Sequence, residues 1–153
     1  MKMTIKKTSV FPAKQSNVFE LLQRFDTLAY IAKPYATFKN IDGQTEPVWE
    51  AGRSFSFDFK MFGFIDLGVH IINVKEFNID NIYTNEGNPF CPVWNHQIIL
   101  KEIADIKTEY TDEVEIGAGW KTPLVCLLAK AFYSHRQMKW IKLLNKRSEE
   151  KVQ

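Results

Sequence analysis

Hydrophobic and polar positions alternate along most of the first 116 residues and then change period. Thr4, Lys6, Thr8 and Val10 alternate with Ile5, Lys7, Ser9 and Phe11, which predicts an opening strand that ends at Pro12. A short helix follows, with Ser16 as its cap and Val18, Phe19, Leu21 and Leu22 as its apolar positions. A second is expected over 26–31, ending before Pro34, because the residue before a proline disfavours helix. In the stretch SFSFDFKM at 54–61 the period is two, so Phe55, Phe57, Phe59 and Met61 share one face. Gly63 marks a hairpin. Beyond it a strand over 66–77 sets His70, Ile72 and Val74 against Val69, Ile71, Asn73 and Lys75, the His70 set being taken as inward.

A short strand over 82–86 leads into a loop marked by Gly87, Pro89 and Pro92. Trp94, His96, Ile98 and Leu100 then lie on one strand face. After a turn near 104–105, Thr108, Tyr110, Asp112, Val114 and Ile116 oppose Glu109, Thr111, Glu113 and Glu115. This last strand is the cleanest half-buried pattern in the chain, and it carries Asp112 on its apolar side. From 122 to 145 the period becomes helical, with Leu124, Leu127, Leu128, Ala131, Met138 and Ile141 along one stripe. His135 falls within that stripe's angular range, whereas Lys139 and Trp140 read as peripheral. Val125, Cys126, Phe132 and Tyr133 widen the apolar surface. Residues 146–153 read as a solvated tail, leaving a single domain over 1–145.

The long helix is the only element large enough to cover an antiparallel sheet with one apolar face. The expected class is therefore α+β, a helix-grip arrangement: a curved antiparallel sheet wrapped around a long C-terminal helix, with two short helices near the N-terminus. Composition narrows the chemistry rather than the fold. Aromatic residues make up 14% of 153, twelve of them Phe, so bulky rings dominate the interior. A net charge of +2 gives no electrostatic case for nucleic acid. No apolar run reaches the roughly 18 residues of a membrane span, and the basic N-terminus lacks a signal-peptide core. Cys91 and Cys126 have neither disulfide-framework nor metal-ligand spacing, as expected of reduced thiols in a cytoplasmic protein. Serine-nucleophile, dinucleotide, phosphate-loop and HExxH motifs are all missing.

In order, several segments resemble those of the START-like, or Bet v 1-like, superfamily (SRPBCC, including polyketide-cyclase-type proteins). They are Pro12-Ala13 with Val18-Phe19-Glu20-Leu21-Leu22, and Trp49-Glu50-Ala51-Gly52 before the Phe-rich strand. Trp94-Asn95-His96-Gln97-Ile98, Thr108 to Val114 and Phe132-Tyr133-Ser134-His135-Arg136-Gln137 complete the series, over about 3–145. The resemblance implies an apolar cavity between sheet and helix for a lipid, steroid or polyketide-like molecule. It implies no cofactor, no metal, no integral membrane association and no universal catalytic motif. Self-association as a homodimer is compatible with it.

The expected ligand wall is Phe55, Phe57, Phe59, Met61, His70, Ile72, Trp94, His96, Ile98, Tyr110, Asp112, Leu128, Ala131 and His135. Each is equally a candidate for plain core packing. If the chain turns near 105, His96 and Asp112 meet on one face at facing or diagonal positions. A His–carboxylate pair in an apolar site can act as a base. Were the protein a cyclase or dehydratase, His96 would be the base, Asp112 its orienting group and Tyr110 a proton donor. Otherwise it is a binding module, or an interaction domain resembling a co-chaperone, for which a large exposed apolar patch is required.

Overall fold

The computed structural model describes residues 1–43 and 48–152. Strand β1 (Met3–Phe11) is followed by helices α1 (Gln15–Leu22) and α2 (Phe25–Ala32). Six strands come next: β2 (Ala36–Asn40), β3 (Ser54–Met61), β4 (Ile65–Phe77), β5 (Asn81–Gly87), β6 (Val93–Ala104) and β7 (Lys107–Gly117). Helix α3 (Thr122–Val152) closes the chain. The strands form one curved antiparallel sheet in the order β1-β7-β6-β5-β4-β3-β2, and α3 lies in its concave face. This is the helix-grip fold.

The alternating segments became strands with their expected faces. His70, Ile72 and Val74 are buried, while Val69 and Ile71 are exposed. The hairpin between β3 and β4 turns on Phe62 and Gly63, both at positive φ (56° and 81°). Two consecutive left-handed residues match the twist of the flanking strands. Gly87 is required for a different reason: a Cβ there would lie 2.3 Å from the Pro92 carbonyl oxygen.

Four features depart from the pattern. Strand β2 was not anticipated; it is five residues long and held in register by pairs such as Phe38 with Phe59. Ser16 does not cap α1, which begins at Gln15 behind Lys14 with no side-chain cap. The Gln15 side chain instead donates to the Ile79 carbonyl and the Asp80 carboxylate, anchoring α1 to the end of the sheet. Helix α3 also continues to Val152 rather than stopping at 145.

The fourth departure is the phase of α3. Its buried face carries Val125, Cys126, Ala129, Tyr133, Arg136, Gln137, Trp140 and Leu144, whereas Leu124, Leu127, Leu128 and Met138 are exposed. Trp140, expected at the periphery, has no exposed surface at all. The first half of the helix is apolar nearly all round, so spacing alone did not fix its rotation. Packing chose the face with small residues at the closest approach, and with Gln137 placed to hydrogen-bond β1 and β7.

The apolar interior divides into three clusters. One joins Phe11, Val18, Leu21, Ile31, Tyr110 and Trp140 at the α1–α2 end. A second joins Ile5, Val114, Ile116, Val125, Ala129 and Tyr133 under the start of α3. The third is Phe55, Phe57, Ile72 and Val74 on β3 and β4.

Candidate functional site

Between these clusters lies a cavity of about 180 Å³, bounded by β2 to β6 and by the three helices. Its wall is mostly apolar, including Leu28, Ile31, Phe38, Trp49, Phe59, Met61, Ile72, Ile98, Leu128 and Phe132. Polar side chains gather in one part of the lining, where β4, β5 and β6 place His70, Thr84, Glu86 and His96, joined by Asn88 and Arg136.

Eight of the fourteen residues expected at a ligand wall line this space: Phe59, Met61, His70, Ile72, Trp94, His96, Ile98 and Leu128. Phe55 and Phe57 share the inward face of β3 but lie behind the wall. The Phe25 ring stacks on Phe57 with centroids 5.6 Å apart, and Trp49 covers Phe55 at 4.7 Å. Tyr110 and Asp112 are also buried behind the lining. Ala131 and His135 are corrections, following from the rotation of α3. Ala131 is exposed. His135 Nε2 lies 2.6 Å from the Lys33 carbonyl oxygen and its ring packs on Tyr35, outside the cavity.

His96 and Asp112 form the tightest contact of the polar group, Nε2 to Oδ1 at 2.7 Å. In the β6–β7 ladder Asp112 stands opposite Ile98 and His96 opposite Val114, so the pair is diagonal. The other carboxylate oxygen of Asp112 accepts from Gln137 Nε2 at 3.0 Å. Gln137 Nε2 also donates to the Lys7 carbonyl, and its Oε1 accepts from Ser9 Oγ. With both ends of the amide committed, the carboxylate cannot turn freely. Accepting the Nε2 proton of His96 leaves that ring's Nδ1 as a lone pair, 4.0 Å from Glu86 Oε2 and beyond hydrogen-bond length.

The second imidazole is oriented by an asparagine. Asn88 Oδ1 accepts the backbone N–H groups of Phe90 and Cys91, both at 2.9 Å. Its Nδ2 must therefore be the atom that faces His70 Nδ1, at 3.1 Å, and it donates to it. His70 is thereby fixed as the neutral tautomer that donates from Nε2 to Glu86 Oε1, at 2.8 Å. The Thr84 hydroxyl donates to the other oxygen of Glu86.

Burial by itself would raise the pKa of both carboxyl groups. For Glu86 the hydrogen bond from His70, the two nearby imidazoles and the Thr84 hydroxyl together overturn that effect, and the group is held below the usual carboxylate range. For Asp112 the His96 hydrogen bond, the charge of Arg136 and the Gln137 amide do the same. Burial works against the charge of Arg136, but Tyr110, Asp112 and Tyr133 outweigh it and push its pKa above the ordinary value. The Tyr110 hydroxyl is pushed up by burial and then by Asp112, which makes it a poor proton donor at neutral pH.

The arrangement can orient a polar group of a bound molecule, and the His96–Asp112 pair has the geometry of a buried base with its positioning carboxylate. Glu86, Arg136, Asn88 and Gln137 were not among the expected site residues. Glu86 was recoverable, because Ile82, Thr84 and Glu86 alternate onto the inward face of β5. Arg136 and Gln137 were hidden by the misjudged phase of α3. Among the described residues, no group of three or more His, Cys, Asp or Glu is placed to hold a metal ion. Among them, too, no helix is long and apolar enough to cross a membrane.

No family model and no curated protein matches the chain in sequence. Solved structures match it in shape. A START superfamily protein from Mycobacterium smegmatis superposes with a TM-score of 0.72 at 13% identity, over 94% of this chain and 97% of that one. Ara h 8.0201 does so at 0.61 and 10% identity, over 93% and 99%. DynU16, a protein of the dynemicin biosynthetic locus, does so at 0.64 and 16% identity, over 93% of this chain and 47% of its own. The fold is START-like and Bet v 1-like.

Proposed function

We propose, from a START-like fold enclosing an aromatic-walled space, that this protein binds a small hydrophobic molecule between its sheet and its C-terminal helix. The single observation that carries this reading is the cavity of about 180 Å³ with a mostly apolar wall. Phe59, Met61, Ile72, Ile98 and Leu128 would contact the apolar body of the ligand. Trp94, His70 and His96 would meet its polar end. Phe55, Phe57, Tyr110 and Asp112 would support these contacts from behind. Burial contributes about 25 cal/mol per Å² of apolar surface before the costs of association. Met and Phe adapt to irregular guests, so shape selectivity falls to the rigid β-branched positions. A cytoplasmic binding module or carrier fits this reading.

The test is titration with a panel of steroids, fatty acids and fused aromatic compounds, read by thermal midpoint. A ligand at a hundred times its Kd adds about 2.7 kcal/mol to stability. At least one class should raise the midpoint saturably. A flat response to the whole panel would remove the reading.

A second reading, a cyclase- or dehydratase-type enzyme, is favoured by one observation, the 2.7 Å contact between His96 and Asp112. His96 Nδ1 would be the base and Asp112 would hold the ring. His96→Gln should then abolish turnover of a bound substrate while leaving its binding within a few-fold. Equal turnover by the variant would exclude this role.

A further inference from the structure

We infer that the cavity takes an apolar primary amine, whose ammonium group bridges His96 Nδ1 and Glu86 Oε2. This deepens the binding role proposed above and rests on it.

The first support is a pair of acceptors with no donor between them. His96 and Glu86 both line the cavity. His96 is 6% exposed. Its Nε2–H is spent on Asp112, which leaves Nδ1 as a bare lone pair with no partner in the protein. That nitrogen is not sealed in the packing and keeps surface open to the cavity. Glu86 accepts from His70 at one oxygen and from Thr84 at the other, which uses two of its four lone-pair positions. His96 Nδ1 and Glu86 Oε2 stand 4.0 Å apart. A nitrogen at hydrogen-bond length from both, about 2.9 Å, would see them at roughly 90°, near the angle between two N–H bonds of an ammonium. A hydroxyl has one proton and can satisfy only one of the two.

The second support is charge. Glu86 is held in its ionised form. Among the described residues no Lys or Arg forms an ion pair with it, and its charged-partner candidates are the two imidazoles. Asn88 fixes His70 as neutral, and the bare Nδ1 makes His96 neutral. Arg136 also lines the cavity, but the groups that act on its charge are Tyr110, Asp112 and Tyr133. The Glu86 carboxylate thus faces the cavity without a cation of its own. A buried charge in that position costs free energy that an opposite charge with well-placed hydrogen bonds recovers.

The experiment compares three molecules of nearly one shape with the wild-type protein at pH 7.5: 2-ethylnaphthalene, 2-(hydroxymethyl)naphthalene and 2-(aminomethyl)naphthalene, the last as its ammonium. Kd is measured by equilibrium dialysis. The amine should bind at least tenfold more tightly than the ethyl compound and several-fold more tightly than the alcohol. Glu86→Gln keeps the shape and removes the charge; it should weaken the amine at least tenfold and leave the ethyl compound within twofold. In the wild type, the nitrogen-15 resonance of His96 Nδ1 should move upfield with the amine and stay in place with the ethyl compound. An amine that binds no better than the ethyl compound or the alcohol would overturn the inference while the binding role stood. So would an unmoved Nδ1 resonance, or an amine affinity unchanged by Glu86→Gln. Failure of all three to bind would overturn both. The wild-type affinities and the Nδ1 resonance decide the matter even if Glu86→Gln does not fold.

Discussion

His96 Nε2 sits 2.7 Å from Asp112 Oδ1, a diagonal pair across β6 and β7 that is buried on both sides. The contact joins the cavity wall to a second layer formed by Gln137, Ser9 and the backbone of β1. It ties the long helix to the first and last strands through polar bonds as well as apolar packing.

Asp112→Asn should cost about 1.5–3 kcal/mol, because it removes the buried charged acceptor of the His96 and Gln137 N–H groups. The pH dependence has a definite sign. Asp112 and Glu86 both have pKa values depressed by folding. Their stabilisation is complete above the unfolded carboxyl values, near pH 4, and is lost as pH falls through the folded values. Urea unfolding of the wild type between pH 7 and pH 2 should therefore show a steep acid limb, and Asp112→Asn a shallower one. Parallel limbs would contradict the coupling.

Phe57 and Phe59 lie two residues apart on one strand face yet occupy different places. Phe57 is fully buried against Phe25 and Phe38, while Phe59 lines the cavity. Phe57→Ala should cost about 3–5 kcal/mol. Phe59→Ala should cost less and should change ligand affinity more than Phe57→Ala does. Paired denaturation and binding curves for the two variants check both statements.

Asn88 fixes the His70 tautomer through its own backbone bonds. Nitrogen-15 NMR at pH 7.5 should show His70 protonated at Nε2 and bare at Nδ1. Asn88→Ala frees the Phe90 and Cys91 N–H groups and should cost about 2 kcal/mol. It should also let the ring exchange between tautomers. A wild-type His70 protonated at Nδ1 would contradict the assignment.

His135→Leu should leave ligand binding within twofold, since His135 lies outside the cavity on the Lys33 carbonyl. Dialysis with one ligand from the panel checks this. A tenfold change would return α3 to the rotation expected from its leucines.

The elements of the sheet were legible because alternation is strict where one face is wet. The β7 pattern from Thr108 to Ile116 and the β3 pattern from Ser54 to Met61 both placed their faces correctly. The diagonal register of His96 and Asp112 is set by the ladder, but that the two share one face, at facing or diagonal positions, followed from the β6–β7 turn. The rotation of α3 did not, because leucines at 124, 127 and 128 compete with Val125, Cys126 and Ala129 for the same core. Leu127 is 64% exposed despite its chemistry. Glu86 and Arg136 were missed because charged residues are ordinarily read as surface, and their burial depends on partners distant in sequence.

The central claim is that a ligand enters the space between sheet and helix, and intermolecular NOEs test it most directly. With methyl-labelled protein and a saturating fused aromatic ligand from the panel, the ring protons should show NOEs to the methyls of Met61, Ile72, Ile98 and Leu128, which line the cavity. The methyls of Ile71 and Leu127, on the outer surfaces of β4 and α3, should show none. NOEs confined to Ile71, Leu127 or other surface methyls would contradict the account.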